Sequence, residues 1–162
     1  MKKKWICAVL IGVLAMAGYA GNVLATTGPA VTTTILGRSV FPGFTVSGQS
    51  IPPGLWDAAV TTHGISDVYV VDNKFAPGAT TGWHSHPGPS MILVVAGSVT
   101  NYTSDCTVHT YTAGTGFIDS GGTDVHTLRN QGSVQAETLA VQLLAKDAPR
   151  KTKAPEPGNC HF

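Results

Sequence analysis

The chain has 162 residues, 43% of them hydrophobic and 12% charged, with a net charge of +1. That balance excludes a broad basic surface for nucleic acid, and the apolar share suffices for one packed core. The only cationic cluster outside the first residues, Arg150-Lys151-Thr-Lys153, is short and reads as a solvated face.

Lys2, Lys3 and Lys4 precede an apolar run from Trp5 to Ala20. A basic stretch followed by an apolar one is the pattern of a secretory signal peptide. Val23-Leu24-Ala25 offers small residues for cleavage after Ala25, with Gly18-Tyr19-Ala20 as the second option. The run is short for a membrane span of ~20 residues and contains Gly12 and Gly18, so a retained anchor is the weaker reading. Cys7 leaves with the signal. Loss of residues 1–25 removes three lysines and no acid, leaving seven Lys+Arg against nine Asp+Glu, a net charge of −2. The expected location is secreted or periplasmic, with no stable membrane span after cleavage.

Residues 26–34, rich in Thr with Gly28 and Pro29, read as a flexible leader. A single domain is expected over 35–146. Strand signals follow one another at Ser39–Phe41, Asp67–Phe75, Met91–Tyr102, Val108–Tyr111, Gly116–Ile118, Val125–Leu128 and Val134–Leu144. Each is rich in Val, Thr, Ile or Tyr, and Gly, Pro, Asn and Asp separate them. Helical periodicity is scarce, which predicts an all-β sandwich or barrel. Gln49 to Trp56 contains Pro52-Pro53-Gly54 and reads as a loop. Met91 to Ala96 is apolar at every position and is expected to be buried on both faces. Gly97 then permits a tight turn. Trp56 and Trp83 read as core or rim residues.

The histidines carry the chemistry. His84 and His86 are two apart, so an extended strand aims both imidazoles the same way. Pro87-Gly88-Pro89 ends that strand, because proline has no N–H for a ladder. A third histidine, His126, follows in a second Gly-rich stretch. Together the three are expected to converge, with ring nitrogens about 3–4 Å apart, on one divalent metal ion. His63, His109 and His161 read as surface or structural residues. Asp119 and Asp124 lie near His126 and read as solvated.

The spacing Gly78, His84-x-His86, Ser90, Gly97 resembles the first motif of the cupin superfamily, G-x5-H-x-H-x3,4-E-x6-G. His126-Thr-Leu-Arg-Asn130 resembles the end of the second motif, whose preceding glycines match only loosely. The two stretches span residues 78–130, about a third of the chain. Ser90 stands where most cupins carry a glutamate ligand. The resemblance implies a small jelly-roll β-barrel with a metal on His84, His86 and His126. A hydroxyl is too weak a donor to replace a carboxylate. Ser90 is therefore expected near the metal, leaving room for substrate or hydrogen-bonding a water there.

A three-histidine set resembles the sites of cupin dioxygenases that lack the glutamate. It favours Zn, Cu, Fe or Ni over hard Mn²⁺, and a site outside the cytoplasm tilts the choice toward zinc or copper. The expected function is a secreted metal-binding cupin, in one form a dioxygenase-like oxidoreductase acting on a small molecule. The alternative is a non-catalytic cupin that binds a metal or a small ligand such as a sugar or an aromatic. Expected partners are a small-molecule ligand or substrate, with no nucleic acid; a homodimer is an option the sequence leaves open.

After Lys146 the chain turns Pro- and Lys-rich, and residues 147–162 read as a loose tail. Cys106 and Cys160 remain after cleavage, and in an oxidising compartment such a pair is expected to form a disulfide tying the tail to the barrel. Two free thiols or a second metal site are the weaker readings. Reduction is expected to loosen residues 147–162 first and leave the metal site largely intact.

Overall fold

The computed structural model describes residues 31–160; the expected signal peptide, the first part of the leader and His161 lie outside them. In chain order the strands are β1 (Thr32–Phe41), β2 (Thr45–Gln49), β3 (Asp57–Thr61), β4 (Ser66–Phe75), β5 (His84–Ser85) and β6 (Ser90–Ala96). They continue with β7 (Ser98–Thr103), β8 (Val108–Thr112), β9 (Gly116–Asp119), β10 (His126–Arg129), β11 (Ala136–Ala145) and β12 (Thr152–Lys153). The order β1-β4-β11-β6-β9 makes one five-stranded sheet, β12-β5-β10-β7-β8 a second, and β2-β3 is a separate hairpin. Every pairing is antiparallel. The described residues contain no helix, and the fold is the all-β jelly roll expected from the sequence.

The two sheets face each other because alternate side chains point inward. In β11 the buried set is Ala136, Thr138, Ala140, Gln142 and Leu144, with half-buried residues between. Phe75, Val94, Val99 and Leu128 pack together at one end of the sandwich. Tyr69, Val71, Ile92 and Leu144 pack at the other. Each fully buried Val, Leu or Phe contributes roughly 1.5–3 kcal/mol relative to exposure. The chain passes from one sheet to the other at Gly97. Its φ is +65°, and a Cβ there would meet the Gln135 carbonyl oxygen at 2.8 Å, so only glycine fits.

Three expectations need correction. Met91–Ala96 is not buried on both faces: Ser90, Ile92 and Val94 point in, while Met91, Leu93 and Val95 are about half exposed. β6 lies in an antiparallel sheet whose outer face carries no covering layer among the described residues, so half of its apolar positions meet solvent. The leader does not extend to residue 34. Thr32, Thr33 and Thr34 pair with Lys74, Asn73 and Asp72 of β4, where their β-branched side chains suit a strand. The hairpin β2-β3 has no counterpart among the expected strands, although the loop between its strands falls within the expected 49–56.

The turn that follows β11 is also ordered. The Asp67 carboxylate is fully buried and accepts two hydrogen bonds from Arg38, at 3.0 and 2.8 Å. It accepts a third, at 2.8 Å, from the backbone N–H of Asp147. These bonds hold the Asp67 carboxyl below the usual carboxylate range, with Arg38 the foremost cause. Asp147, at φ +61°, turns the chain after β11 back toward the barrel.

Candidate metal centre

His84 lies in β5 directly opposite His126 of β10. His86 follows two residues later, just before Pro87 breaks the strand. The three rings gather at the inner end of the two sheets, with centroids 4.6 Å apart for His84–His126, 4.8 Å for His84–His86 and 5.5 Å for His86–His126. One nitrogen from each lies within 4.8 Å of the others. That spread is wider than the expected 3–4 Å, although His84 Nε2 and His86 Nε2 are already 3.1 Å apart.

Backbone carbonyls set the tautomers. His84 Nδ1 is 2.8 Å from the Gly82 carbonyl oxygen, and His86 Nδ1 is 2.6 Å from that of Arg150. A carbonyl only accepts, so His84 Nδ1 carries a proton; His86 Nδ1 faces both the Arg150 carbonyl and, at 3.1 Å, the Gln142 amide nitrogen, and the shorter contact, to the carbonyl, assigns its proton to Nδ1 as well. A neutral ring then presents a lone pair at Nε2. With both protons assigned to Nδ1, the two Nε2 atoms face each other at 3.1 Å as acceptors. This arrangement suits a cation, and a metal-ligating histidine commonly has its other N–H held in this way.

Burial favours the same neutral state. It is the foremost cause that lowers His84 to a pKa of about 3, followed by the neighbouring His126. His126 is lowered to about 4, again by burial first and then by His86. These shifts predict a pH dependence of the metal-free fold. The unfolded chain binds protons near pH 6.5, where the folded rings refuse them, so stability is complete above that pH and is lost as pH falls toward about 3–4. Asp119, whose pKa burial raises, works in the opposite sense, but it is one group against two. Melting temperatures of metal-free protein between pH 7.5 and pH 4 are expected to fall steadily with acid; a flat profile would contradict the burial of these rings.

Ser90 is buried, lines the cavity beside the histidines and accepts a long hydrogen bond, 3.4 Å, from Gln142 Nε2. The strand register explains its neighbours. Gln142 of β11, Ser90 of β6 and Asp119 of β9 form one row across the inner face of the larger sheet. Asp119 was expected to be solvated, and this is a correction: its side chain is fully buried. Its Oδ1 accepts from the Gly121 N–H at 2.8 Å. Its Oδ2 has no hydrogen-bond partner and lies 3.5 Å from His86 Nε2 and 3.8 Å from His126 Nδ1. Gly121 makes this turn at φ +75°, and a Cβ there would run into the Gly88 carbonyl oxygen. The signal in the sequence was the Asp-Ser-Gly-Gly turn, but nothing local reveals which way Asp119 points. Asp124, by contrast, makes no contact with the histidines. Trp83 is buried beside His84, while Trp56 is exposed in the hairpin region.

The histidines open onto a cavity of about 470 Å³ between the sheets. Ile92, Leu128 and Ala140 give it apolar walls, and Arg150 and Lys151 stand among its lining residues. No carboxylate lines it. Arg150 donates to Gln142 Oε1 at 3.4 Å, and Lys151 donates to the Thr81 carbonyl at 3.1 Å. Among the described residues neither forms an ion pair. Both cations come from the segment expected to be a loose tail. Thr152 and Lys153 pair with Ser85 and His84, so this segment extends the sheet that carries the site. The Cys106–Cys160 disulfide is present and closes the tail onto the loop after β7. The tail is thus ordered beside the site, where the Arg150 carbonyl orients His86.

Residues 73–142 match a family model described as "Cupin domain". No curated protein matches the chain. Similar solved structures include a double-stranded β-helix protein from Klebsiella pneumoniae, 22% identical, covering 55% of this chain and 76% of that one at a TM-score of 0.48. An oxalate oxidase in complex with the substrate analogue glycolate is 23% identical, with 54% of this chain and 46% of that one covered at a TM-score of 0.46. A cupin domain protein from Bordetella pertussis is 17% identical, with 64% and 95% covered at a TM-score of 0.43. None of these likenesses bears on activity. The family match lies over both histidine stretches and the strands that carry them, so residues 73–142 are a cupin domain.

Proposed function

We propose that this chain is a secreted or periplasmic, metal-dependent cupin enzyme, dioxygenase-like, that acts on a small molecule bearing an anionic group. The observation that carries this reading is the convergence of His84, His86 and His126, with the Nε2 atoms of the first two 3.1 Å apart, beside a cavity large enough for a small substrate. His84, His86 and His126 would hold one divalent ion. When bound, that ion would supply a Lewis acid and, if it is redox-active, a site for electron transfer. The lysine-led apolar run at the start of the chain and the Cys106–Cys160 disulfide support an oxidising compartment.

The chain's own residues would do the rest. The apolar walls exclude water from the reacting end of the substrate. Arg150 and Lys151, with no acid beside them in the cavity, attract and orient a carboxylate or similar anion. Ser90 and Gln142 leave a small polar face beside the histidines.

Metal analysis of the purified protein, followed by titration with small carboxylates, tests this. Arg150→Gln removes the guanidinium but keeps the backbone carbonyl that holds His86. It is expected to weaken carboxylate binding about 10–150-fold, in line with the ~1.5–3 kcal/mol of a hydrogen bond to a charged group, and to leave metal affinity unchanged. A protein that binds metal and carboxylates but turns none over is the non-catalytic cupin instead. Carboxylate affinity unchanged by Arg150→Gln would remove the anionic-substrate reading.

A further inference from the structure

We infer that Asp119 is a fourth metal ligand, supplied by β9 in place of the glutamate that Ser90 replaces. The inference rests on the metal-binding reading above. Its basis is a buried carboxylate oxygen for which the protein provides no hydrogen-bond donor. Asp119 Oδ2 is inaccessible and unpartnered, although its sister oxygen is held by the Gly121 N–H. Leaving such an oxygen unpaired is costly, so a buried carboxylate of this kind is normally paired or coordinates a cation.

The direction of approach distinguishes a ligand from a positioning residue. A carboxylate that only orients a ligating histidine bonds to the nitrogen facing away from the metal. For His86 that outer nitrogen is Nδ1, already bound to the Arg150 carbonyl at 2.6 Å. Asp119 instead lies 3.5 Å from Nε2, the nitrogen that also faces His84. His86 Nε2 thus has His84 Nε2 at 3.1 Å and Asp119 Oδ2 at 3.5 Å, and the same carboxylate oxygen lies 3.8 Å from His126 Nδ1. Ligands at about 2.0–2.2 Å from a tetrahedral ion lie roughly 3.3–3.6 Å apart, which 3.1 and 3.5 Å approach closely.

Strand register makes the substitution feasible. Ser90 pairs with Asp119, so the missing side chain and its replacement are neighbours on the same inner face. A hydroxyl at residue 90 is also small enough to leave the adjoining volume free. The consequence is a donor set of three imidazoles and one carboxylate. It reduces the charge of a bound divalent ion by one and readmits harder ions such as Mn²⁺, which three histidines alone disfavour.

The test is calorimetric titration of metal-free protein with Mn²⁺, Zn²⁺ and Cu²⁺, comparing the unaltered chain with Asp119→Asn. Asparagine keeps an oxygen for the Gly121 N–H and loses the charge. The expected result is a fall in affinity of at least ~10–100-fold for Mn²⁺, with a smaller fall for Cu²⁺. The metal-free variant is expected to melt no lower than the unaltered chain, because an uncompensated buried charge has gone. Equal affinities and an unchanged Mn²⁺/Cu²⁺ ratio would overturn the role of Asp119 while leaving the histidine site standing. Failure of the unaltered chain to bind any of the three ions would overturn the metal reading itself. If Asp119→Asn does not fold, the ¹³C carboxyl resonance of Asp119 in the unaltered chain decides: a shift on adding Zn²⁺ supports ligation, and no shift refutes it.

Discussion

His84→Ala is expected to abolish tight metal binding and to leave the barrel folded. His84 is the central member of the cluster: its ring is the nearer neighbour of both His86 and His126. Substitutions around a metal site, outside its ligands, typically cost ~10–100-fold in affinity, so removal of the central ligand is expected to cost more. The fold has little to lose. Outside the cluster the His84 side chain bonds only to the Gly82 carbonyl, and its strand is only two residues long. Its neutral state is already forced by burial. Calorimetric titration with Zn²⁺ and circular dichroism of the same samples check both halves. Retention of full affinity would mean that the ion, if any, sits elsewhere; loss of the β-sheet signal would mean that His84 is structural.

Cys160→Ser is the second substitution with a large expected effect. The disulfide spans 54 residues, from the loop after β7 to the end of the tail. Constraining a loop of that length in the unfolded chain is worth about 4 kcal/mol in the chain-entropy model. That is a large fraction of the ~5–15 kcal/mol of net stability of a typical domain. The effect extends to the metal. The tail carries the carbonyl that fixes the His86 proton and the strand that pairs with His84. Loosening it lets His86 rotate, and metal affinity is expected to fall about tenfold, the lower end for outer-shell losses. Thermal melts and Zn²⁺ titrations of oxidised, reduced and Cys160→Ser protein check this. Unchanged affinity on reduction would show that β12 holds its place without the bridge.

The parts of this molecule that sequence reveals are those that local periodicity controls. His84 and His86 are legible because two residues apart on a strand means one face, whatever the rest of the chain does. Gly97 and Pro87-Gly88-Pro89 are legible because their backbone chemistry forces a turn or a break. Asp119 is not, since its place beside His86 comes from pairing with Ser90, 29 positions earlier, and from the approach of Gly121 to Gly88. The run Met91–Val95 misleads for the related reason that hydrophobicity reports what a strand could bury. Which face it buries depends on the sheet it joins. The β2-β3 hairpin is small and exposed throughout, so no alternation of apolar and polar residues marks it.

The path of the chain also sets when the centre can exist. Synthesis delivers the histidine pair at residues 84 and 86, then Asp119 and His126, and only later Arg150, whose carbonyl holds His86. A ribosome-bound chain that ends before residue 150 therefore lacks the carbonyl that orients His86. The last segment must arrive and dock on β5 before the donor atoms are pre-organised. Metal uptake would then mark the end of folding rather than guide its beginning, and a chain cut short before residue 150 would be a poor competitor for metal however complete its two sheets.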